Sequence, residues 1–116
     1  MEKLERWGGV ILCRPDPQVI WKGRKTSPLW KRADAIYRRE SSGGGRWVKC
    51  DVPESWTINY KDLRFLIKPM GFKHTGLFPE QSVNWDYMID KISKETKKGR
   101  EIKVLNLFAY TGGATI

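Results

Sequence analysis

The chain ends with the stretch Lys103-Val-Leu-Asn-Leu-Phe-Ala-Tyr-Thr-Gly-Gly-Ala-Thr-Ile116, and this stretch determines how the rest of the sequence is interpreted. It begins with a run dominated by apolar side chains, which is typical of a strand covered on both faces in a parallel sheet. Small residues follow at once, and they allow the backbone to turn sharply and to approach a ligand closely. A helix normally begins after such a turn, with its unpaired N–H groups directed toward the crevice. The pattern predicts a strand over residues 102–108 and a ligand-binding turn after it.

Two segments of the chain resemble motifs of one enzyme family. Val104-Leu-Asn-Leu-Phe-Ala-Tyr-Thr-Gly-Gly-Ala-Thr115 resembles the first cofactor-binding motif of class I S-adenosylmethionine-dependent methyltransferases. The match is closer to the branch that includes the cytosine-C5 methyltransferases of large-subunit ribosomal RNA, where Phe-x-Tyr-Thr-Gly-Gly recurs. Upstream, Phe72-Lys-His-Thr-Gly-Leu-Phe-Pro-Glu-Gln81 is similar to the segment that precedes the methyltransferase core in that group. The chain departs from the pattern at Asn106, where many class I enzymes have an acidic residue, and at Tyr110, where they have a glycine.

The resemblance implies a fold, a cofactor and a set of site residues. The expected fold class is α+β: a small antiparallel β subdomain over residues 1–70, followed over 71–116 by a loop, a helix and the first strand of a truncated Rossmann-like methyltransferase domain. The implied cofactor is S-adenosyl-L-methionine, with its carboxylate received by backbone N–H groups at 111–113. The predicted cofactor-binding residues come from both motifs: Asn106, Phe108, Ala109, Tyr110, Thr111, Gly112, Gly113, Lys73, His74, Thr75, Gly76, Phe78, Glu80 and Gln81.

The implied function is that of an N-terminal fragment of a methyltransferase that acts on RNA and is inactive by itself. The acidic residue expected to hold the ribose and the cysteine nucleophile of cytosine-C5 transfer would both lie beyond Ile116, so no catalytic residue is predicted. The alternative is a stand-alone basic RNA-binding module without catalysis. A nicotinamide-dependent fragment is disfavoured, because Gly112-Gly113 does not satisfy Gly-x-Gly-x-x-Gly.

Charge is distributed unevenly along the chain. The net charge is +9, and residues 1–50 hold twelve Lys and Arg against five Asp and Glu. A basic surface of this kind suits contact with phosphates, because neutralising them releases counterions. A solvated basic surface without a partner explains the same composition, and charge alone does not decide between the two.

The sequence carries no membrane, disulfide or metal signal. The longest apolar runs fall far short of the ~20 residues that span a bilayer, and the N-terminus has no signal-peptide core. Cys13 and Cys50 form neither a disulfide framework nor a Cys-x-x-Cys metal motif. We therefore expect a cytoplasmic protein with reduced thiols and no metal site. The apolar edge of strand 102–108 would also be exposed, which predicts a homo-oligomer formed by pairing or swapping of this segment.

The first 70 residues contain apolar runs broken by turn residues, which predicts short antiparallel strands. The candidate strands are 10–13, 18–21, 47–50, 56–60 and 63–67. The dipeptide Lys61-Asp62 predicts a hairpin between the last two. Residues 29–39 fit either a short helix or an irregular basic segment. Ser41-Ser-Gly-Gly-Gly-Arg46 predicts a hairpin tip rather than a phosphate-binding loop, because no Gly-Lys-Ser/Thr ending follows it.

A helix is predicted from Pro79 to about Lys98. Its apolar stripe, Trp85, Met88, Ile89 and Ile92, is expected to pack on the sheet begun by 102–108.

The six tryptophans allow two interpretations. Trp47, Trp56 and Trp85 are interpreted as core residues. Trp21 and Trp30, which lie among Lys and Arg in Trp21-Lys-Gly-Arg-Lys25 and Trp30-Lys-Arg32, are left open between core packing and base stacking. His74 is interpreted as part of the pocket wall rather than as a catalytic base, since the sequence shows no orienting partner for it.

Overall fold

The chain has an α+β fold, in a computed structural model that describes residues 1–23 and 25–116. Within those residues, six strands form two sheets and one α-helix follows them. The strands are β1 (Glu2–Trp7), β2 (Val10–Pro15), β3 (Ala35–Arg39), β4 (Gly45–Cys50), β5 (Trp56–Tyr60) and β6 (Leu63–Ile67). The helix, α1, is Ser82–Thr96, and short 3₁₀ helices cover Pro28–Trp30 and Pro79–Gln81. The chain divides into two compact units, Met1–Gly76 and Leu77–Ile116.

The larger sheet is mixed, which corrects the prediction of a purely antiparallel subdomain. Its strand order is β1-β2-β3-β4, and the central pair β2–β3 is parallel, with Leu12 opposite Ala35. Parallel neighbours require a long crossover connection, and residues 16–34 supply it. Asp34 fastens the start of β3, since its carboxylate accepts from the Ile11 N–H at 2.7 Å and its own N–H donates to the Ile11 carbonyl at 2.8 Å.

The strand predictions had mixed outcomes. Those over 10–13 and 47–50 are confirmed within β2 and β4, and those over 56–60 and 63–67 match β5 and β6. The Lys61-Asp62 hairpin is also confirmed, with Tyr60 opposite Leu63 and Lys61 at a φ of 51°.

Two regions of the first unit differ from the predictions. The strand over 18–21 is wrong, because the backbone there closes on itself: the Val19 N–H donates to Asp16 and the Ile20 N–H to Gln18. The open interpretation of 29–39 resolves into the end of a 3₁₀ helix and then β3, while β1 was not predicted at all. Arg24, within the predicted stacking segment 21–25, lies outside the described residues.

The core of the first unit draws side chains from strands β1, β2, β3 and β6 and from the residues just before β3. Its buried apolar side chains are Trp7, Leu12, Cys13, Ala33, Ala35, Tyr37, Phe65 and Ile67.

Two polar side chains, those of Arg14 and Thr75, are also buried in this unit. Arg14 is satisfied, because its guanidinium pairs with Glu5 at 2.6 Å and lies over the Trp7 ring. The hydroxyl of Thr75, in contrast, has no hydrogen-bond partner among the described residues.

The predicted tryptophan roles are only partly realised. Trp85 is buried, as predicted. Trp47 and Trp56 are half-buried, and each indole donates to a backbone carbonyl: Trp47 to Met70 at 2.8 Å and Trp56 to Trp7 at 3.0 Å. Trp30 is half-buried beneath the Lys25 ammonium, whereas Trp21 is exposed.

The second unit contains the predicted helix but not the predicted strand. Helix α1 ends near Gly99, which adopts a φ of 76° as expected for a residue that closes a helix. Residues 102–108 form no strand, because no neighbouring strand among the described residues offers a hydrogen-bonding ladder to them. Their apolar side chains are consequently exposed, Leu105 by 81% and Phe108 fully. Ile89 on α1, predicted to pack on that sheet, is also exposed.

Candidate functional site

A pocket of about 300 Å³ lies in the second unit, where the start of α1 faces the glycine-containing turn. It combines aromatic rings, small residues and a few polar groups, which is the usual composition of a small-molecule site. Its lining residues are Leu77, Phe78, Gln81, Trp85, Asn106, Leu107, Phe108, Ala109, Tyr110, Thr111, Gly113 and Ala114.

The turn that forms one wall has an unusual backbone. Phe108, Tyr110 and Gly112 all have positive φ, at 59°, 53° and 89°. Glycine adopts this conformation freely, whereas a side chain such as that of Tyr110 makes it unfavourable. Tyr110 therefore carries a conformational cost that a glycine at this position would avoid. Such strain concentrates at ligand-binding sites.

Local hydrogen bonds hold the turn in this shape. The Gly112 N–H donates to the Ala109 carbonyl at 2.8 Å, and the Thr115 N–H donates to the Gly112 carbonyl at the same distance. The Asn106 side chain donates from Nδ2 to Thr115 Oγ1, also at 2.8 Å, which ties the start of the segment to its end. A Cβ atom on Gly112 would meet nothing within 4 Å, so the backbone there is open to an approaching group.

Aromatic rings flank the opening of this pocket. The Phe78 and Tyr110 rings lie 4.9 Å apart between centroids at an interplanar angle of 42°. Phe108 is fully exposed beside them. The exposed rings of Phe108 and Tyr110 can hold a planar heterocycle, while Asn106 Oδ1 can accept a hydrogen bond from a hydroxyl or an amine.

The structure brings eight of the fourteen predicted cofactor residues together in this pocket. They are Asn106, Phe108, Ala109, Tyr110, Thr111, Gly113, Phe78 and Gln81. Gly112 shapes the turn without lining the pocket, and Glu80 lies exposed in the 3₁₀ helix before α1. Lys73 and His74 line a second pocket instead, and Thr75 and Gly76 line neither. The two pockets share no residue.

The second pocket, of about 400 Å³, lies in the first unit at the tip of the β3–β4 hairpin. Its lining residues are Tyr37, Arg39, Glu40, Ser41, Gly43, Gly44, Phe72, Lys73 and His74. Burial, and then the positive charges of Lys73 and Arg14, hold the pKa of His74 below its usual value. His74 is therefore mainly neutral at pH 7, and burial contributes more to its lowered pKa than the two neighbouring cations do.

Several residues of the two pockets were not predicted. Trp85 could have been found, because it lies four positions after Gln81 and shares its helical face. Leu77, Leu107 and Ala114 are neighbours of predicted residues and carry no signal of their own. Tyr37, Arg39 and Phe72 come together through the sheet register, which pairs Tyr37 with Trp47 across a strand irregularity that no local pattern signals.

Among the residues that the structure describes, no group of three or more His, Cys, Asp or Glu side chains is placed to hold a metal ion. No helix in the described ranges combines the length and apolar character needed to cross a membrane.

Comparison with known proteins shows that the chain is similar to a solved structure. No family model and no curated protein matched it. The crystal structure of the SAM-dependent methyltransferase from Agrobacterium tumefaciens is similar, with 36% sequence identity and a TM-score of 0.82. The likeness covers 98% of this chain and 36% of that one, so the chain spans little more than a third of its relative. In both sequence and fold, the chain is thus similar to part of an S-adenosylmethionine-dependent methyltransferase, which supports that class of enzyme.

Proposed function

We propose that the chain is the N-terminal part of an S-adenosylmethionine-dependent methyltransferase that acts on RNA, and that it has no turnover alone. The observation that carries this proposal is the 36% identity over 98% of the chain to an S-adenosylmethionine-dependent methyltransferase. The motif resemblance is the reason for placing the chain in the N-terminal part of such an enzyme, and for proposing the branch that methylates ribosomal RNA.

The pocket of the second unit suits one side of the cofactor. S-adenosylmethionine supplies an activated methyl group on a positively charged sulfonium. The exposed rings of Phe108 and Tyr110 would hold the adenine, and Asn106 would accept a hydrogen bond from a ribose hydroxyl. The backbone N–H of Gly113 would receive the carboxylate, since that of Gly112 already donates to the Ala109 carbonyl. An apolar, partly closed surrounding favours methyl transfer, because the reaction disperses the sulfonium charge.

The proposed inactivity follows from how little of the cofactor these residues could enclose. The pocket described here is about 300 Å³ and has one wall built from a single turn. Binding energy falls steeply when contacts are missing, since the loss of translational and rotational freedom remains the same. We therefore propose weak or undetectable cofactor binding by the 116-residue chain.

Calorimetry tests this proposal with two proteins. S-adenosylmethionine and NAD are titrated into the 116-residue chain and into a version extended at its C-terminus through the following coding sequence. We expect S-adenosylmethionine to bind the extended version at least about tenfold more tightly, and NAD to bind neither. In the extended version, Tyr110→Ala should weaken cofactor binding, whereas Tyr87→Ala, an aromatic loss outside the pocket, should not. Equal binding by both lengths, or tighter binding of NAD, would contradict the proposal.

A second candidate function is a stand-alone RNA-binding module. The basic surplus of residues 1–50 and the pocket at the β3–β4 hairpin tip favour it. This candidate requires the 116-residue chain to bind RNA with an affinity that falls as salt is raised. It also requires that, in the extended version, substitutions in the methyl-donor pocket leave RNA affinity unchanged.

The exposed segment 102–108 supports a proposal about assembly. Val104, Leu105, Leu107 and Phe108 are all more than half exposed, and their backbone lacks a ladder partner among the described residues. We propose that this segment pairs with its equivalent in a second copy of the chain. Light scattering should show a dimer that Leu105→Lys dissociates. A monomer at every concentration tested would refute this.

A further inference from the structure

The pocket at the β3–β4 hairpin tip has one wall fixed by backbone hydrogen bonds. Three hydrogen bonds form this anchoring: the Met70 carbonyl accepts from Trp47 Nε1 at 2.8 Å, the Lys73 carbonyl accepts from Arg14 at 2.8 Å, and the Met70 N–H donates to the His74 carbonyl at 3.1 Å. Because these bonds use main-chain groups, the side chains of this segment are left to face the pocket.

The opposite wall is the glycine-containing tip of the hairpin. Gly43 and Gly44 have φ values of 91° and 75°, and a Cβ atom on either would meet nothing within 4 Å. The missing side chains therefore leave room beside the pocket rather than relieving a clash. The hairpin is held close to its own β3 strand at Gly45, where a Cβ would lie 2.1 Å from the Arg38 carbonyl oxygen.

Two cations at this pocket form no close ion pair among the described residues, although Lys73 lies within electrostatic reach of the Asp16 carboxylate. Neither Arg39 nor Lys73 has a carboxylate within 4.0 Å among the described residues. The one acidic side chain of the lining, Glu40, is already paired with Arg46 at 3.4 Å. Burial lowers the pKa of His74 most, and the positive charges of Lys73 and Arg14 add to that effect. An anion would therefore be stabilised here.

An exposed aromatic ring stands beside the two cations. Phe72 is 67% exposed, although it belongs to a segment whose backbone is anchored. The Tyr37 ring forms the floor and is fixed by an edge-to-face contact with Trp47, with ring centroids 5.4 Å apart. A ring with an open face next to unpaired cations is the arrangement that binds a base and its phosphate in single-stranded nucleic acid.

We propose that this pocket binds one unpaired nucleotide of an RNA strand, with the base stacked on Phe72 and a neighbouring phosphate between Arg39 and Lys73. A strand is favoured over a free nucleotide because the pocket is shallow and belongs to the part of the chain with the basic surplus. Cations along a strand add affinity through counterion release that a mononucleotide does not gain. The inference rests on the proposed function only in taking RNA as the substrate.

The test measures binding of a short, unstructured, fluorescein-labelled oligoadenylate to the 116-residue chain by fluorescence anisotropy over a series of salt concentrations. Phe72→Ala should weaken binding about tenfold or more through lost stacking, whereas Tyr87→Ala, a similarly exposed ring in the second unit, should change it less than about twofold. Arg39→Gln should lower the slope of log K against log salt by roughly 0.7, and Arg64→Gln, the same charge change on β6, should leave the slope unchanged.

A second readout locates the site. The chain has a single histidine, so the imidazole proton signals of His74 are uniquely assigned in an NMR titration. We expect the oligoadenylate to shift them and to raise the pKa of His74, since a phosphate offsets the charges of Lys73 and Arg14.

Four results would overturn the inference: no RNA binding, equal effects of Phe72→Ala and Tyr87→Ala, binding without a change at His74, or AMP binding as tightly as the oligonucleotide. A different result would contradict the proposed function alone: the extended version binds RNA, Phe72→Ala weakens that binding, and S-adenosylmethionine does not bind.

Discussion

Substituting Gly45 by alanine tests the geometry that places the hairpin beside its pocket. A Cβ at this position would lie 2.1 Å from the Arg38 carbonyl oxygen and 2.8 Å from the Tyr37 ring, and the φ of 151° is itself unfavourable for a side chain. The first contact is with backbone and cannot be relieved by a rotamer change, so β3 and β4 must separate. Backbone strain of about 1–2 kcal/mol and overpacking of about 2–3 kcal/mol together predict a loss of about 3–5 kcal/mol in unfolding free energy.

The matched control is Gly44→Ala, which adds the same methyl group at a φ of 75° with nothing within 4 Å. It should lose only about 1–2 kcal/mol, the cost of the left-handed backbone. Thermal unfolding followed by tryptophan fluorescence reports on the first unit, which contains five of the six tryptophans. For a unit of this size the loss in Gly45→Ala corresponds to at least about 12 °C in Tm. If the two variants unfold within about 3 °C of each other, the close approach is not what shapes the hairpin.

Three further predictions concern the first unit. Since the pKa of His74 is lowered on folding, the unfolded chain binds more protons near pH 6, so stability should rise with pH up to about 6.5 and then level off. In urea unfolding, the stability difference between pH 5.5 and 7.5 should be smaller for His74→Gln than for the unsubstituted chain. An equal stability difference in the two proteins would contradict this. Thr75→Val removes a fully buried hydroxyl that has no partner among the described residues, so urea midpoints should show stability unchanged or raised by about 1 kcal/mol, and a loss of more than that would show a hidden partner. Glu5→Gln leaves the buried Arg14 guanidinium without its counter-charge and should cost about 2–3 kcal/mol by the same assay. Glu54→Gln, which removes the charge of an exposed ion pair, should leave the urea midpoint nearly unchanged.

Local patterns predicted the elements whose determinants are local. Strand β5 alternates between half-buried and exposed residues as its sequence does, and the Lys61-Asp62 turn fixes its pairing with β6. Helix α1 was likewise predicted from its spacing and from Pro79 and Gly99. These features depend on residues a few positions apart, so the sequence could reveal them.

The missed features depend on distant partners. Strand β1, with Glu2, Lys3, Glu5 and Arg6 among its six residues, carries no apolar alternation, and it forms because β2 offers it a complete ladder. Residues 102–108 show the reverse: a strongly apolar sequence has no strand structure, because no neighbour among the described residues pairs with it. A segment with high strand propensity forms a strand only where another strand is available to hydrogen-bond with it.

The candidate site divides in the same way. The turn at 108–113 was predicted from its small residues, and eight predicted side chains do meet there. The grouping of Lys73 and His74 with Tyr37 and Arg39 could not have been predicted, because it depends on the register of β3 and on carbonyl groups that hold the 70–75 segment.

The parallel pairing of β2 with β3 has a consequence for the order of folding. The β1–β2 hairpin closes through Gly8-Gly9, and the β3–β4 hairpin through a short loop, so each forms over a small entropic barrier. Joining them requires closure across residues 16–34 before Leu12 and Ala35 can meet. We expect this joining step to limit the folding rate. In stopped-flow chevrons, Asp34→Ala should therefore slow refolding, whereas a substitution that weakens the β1–β2 ladder should mainly speed unfolding. If Asp34→Ala mainly speeds unfolding and the β1–β2 substitution slows refolding, this order of folding is excluded.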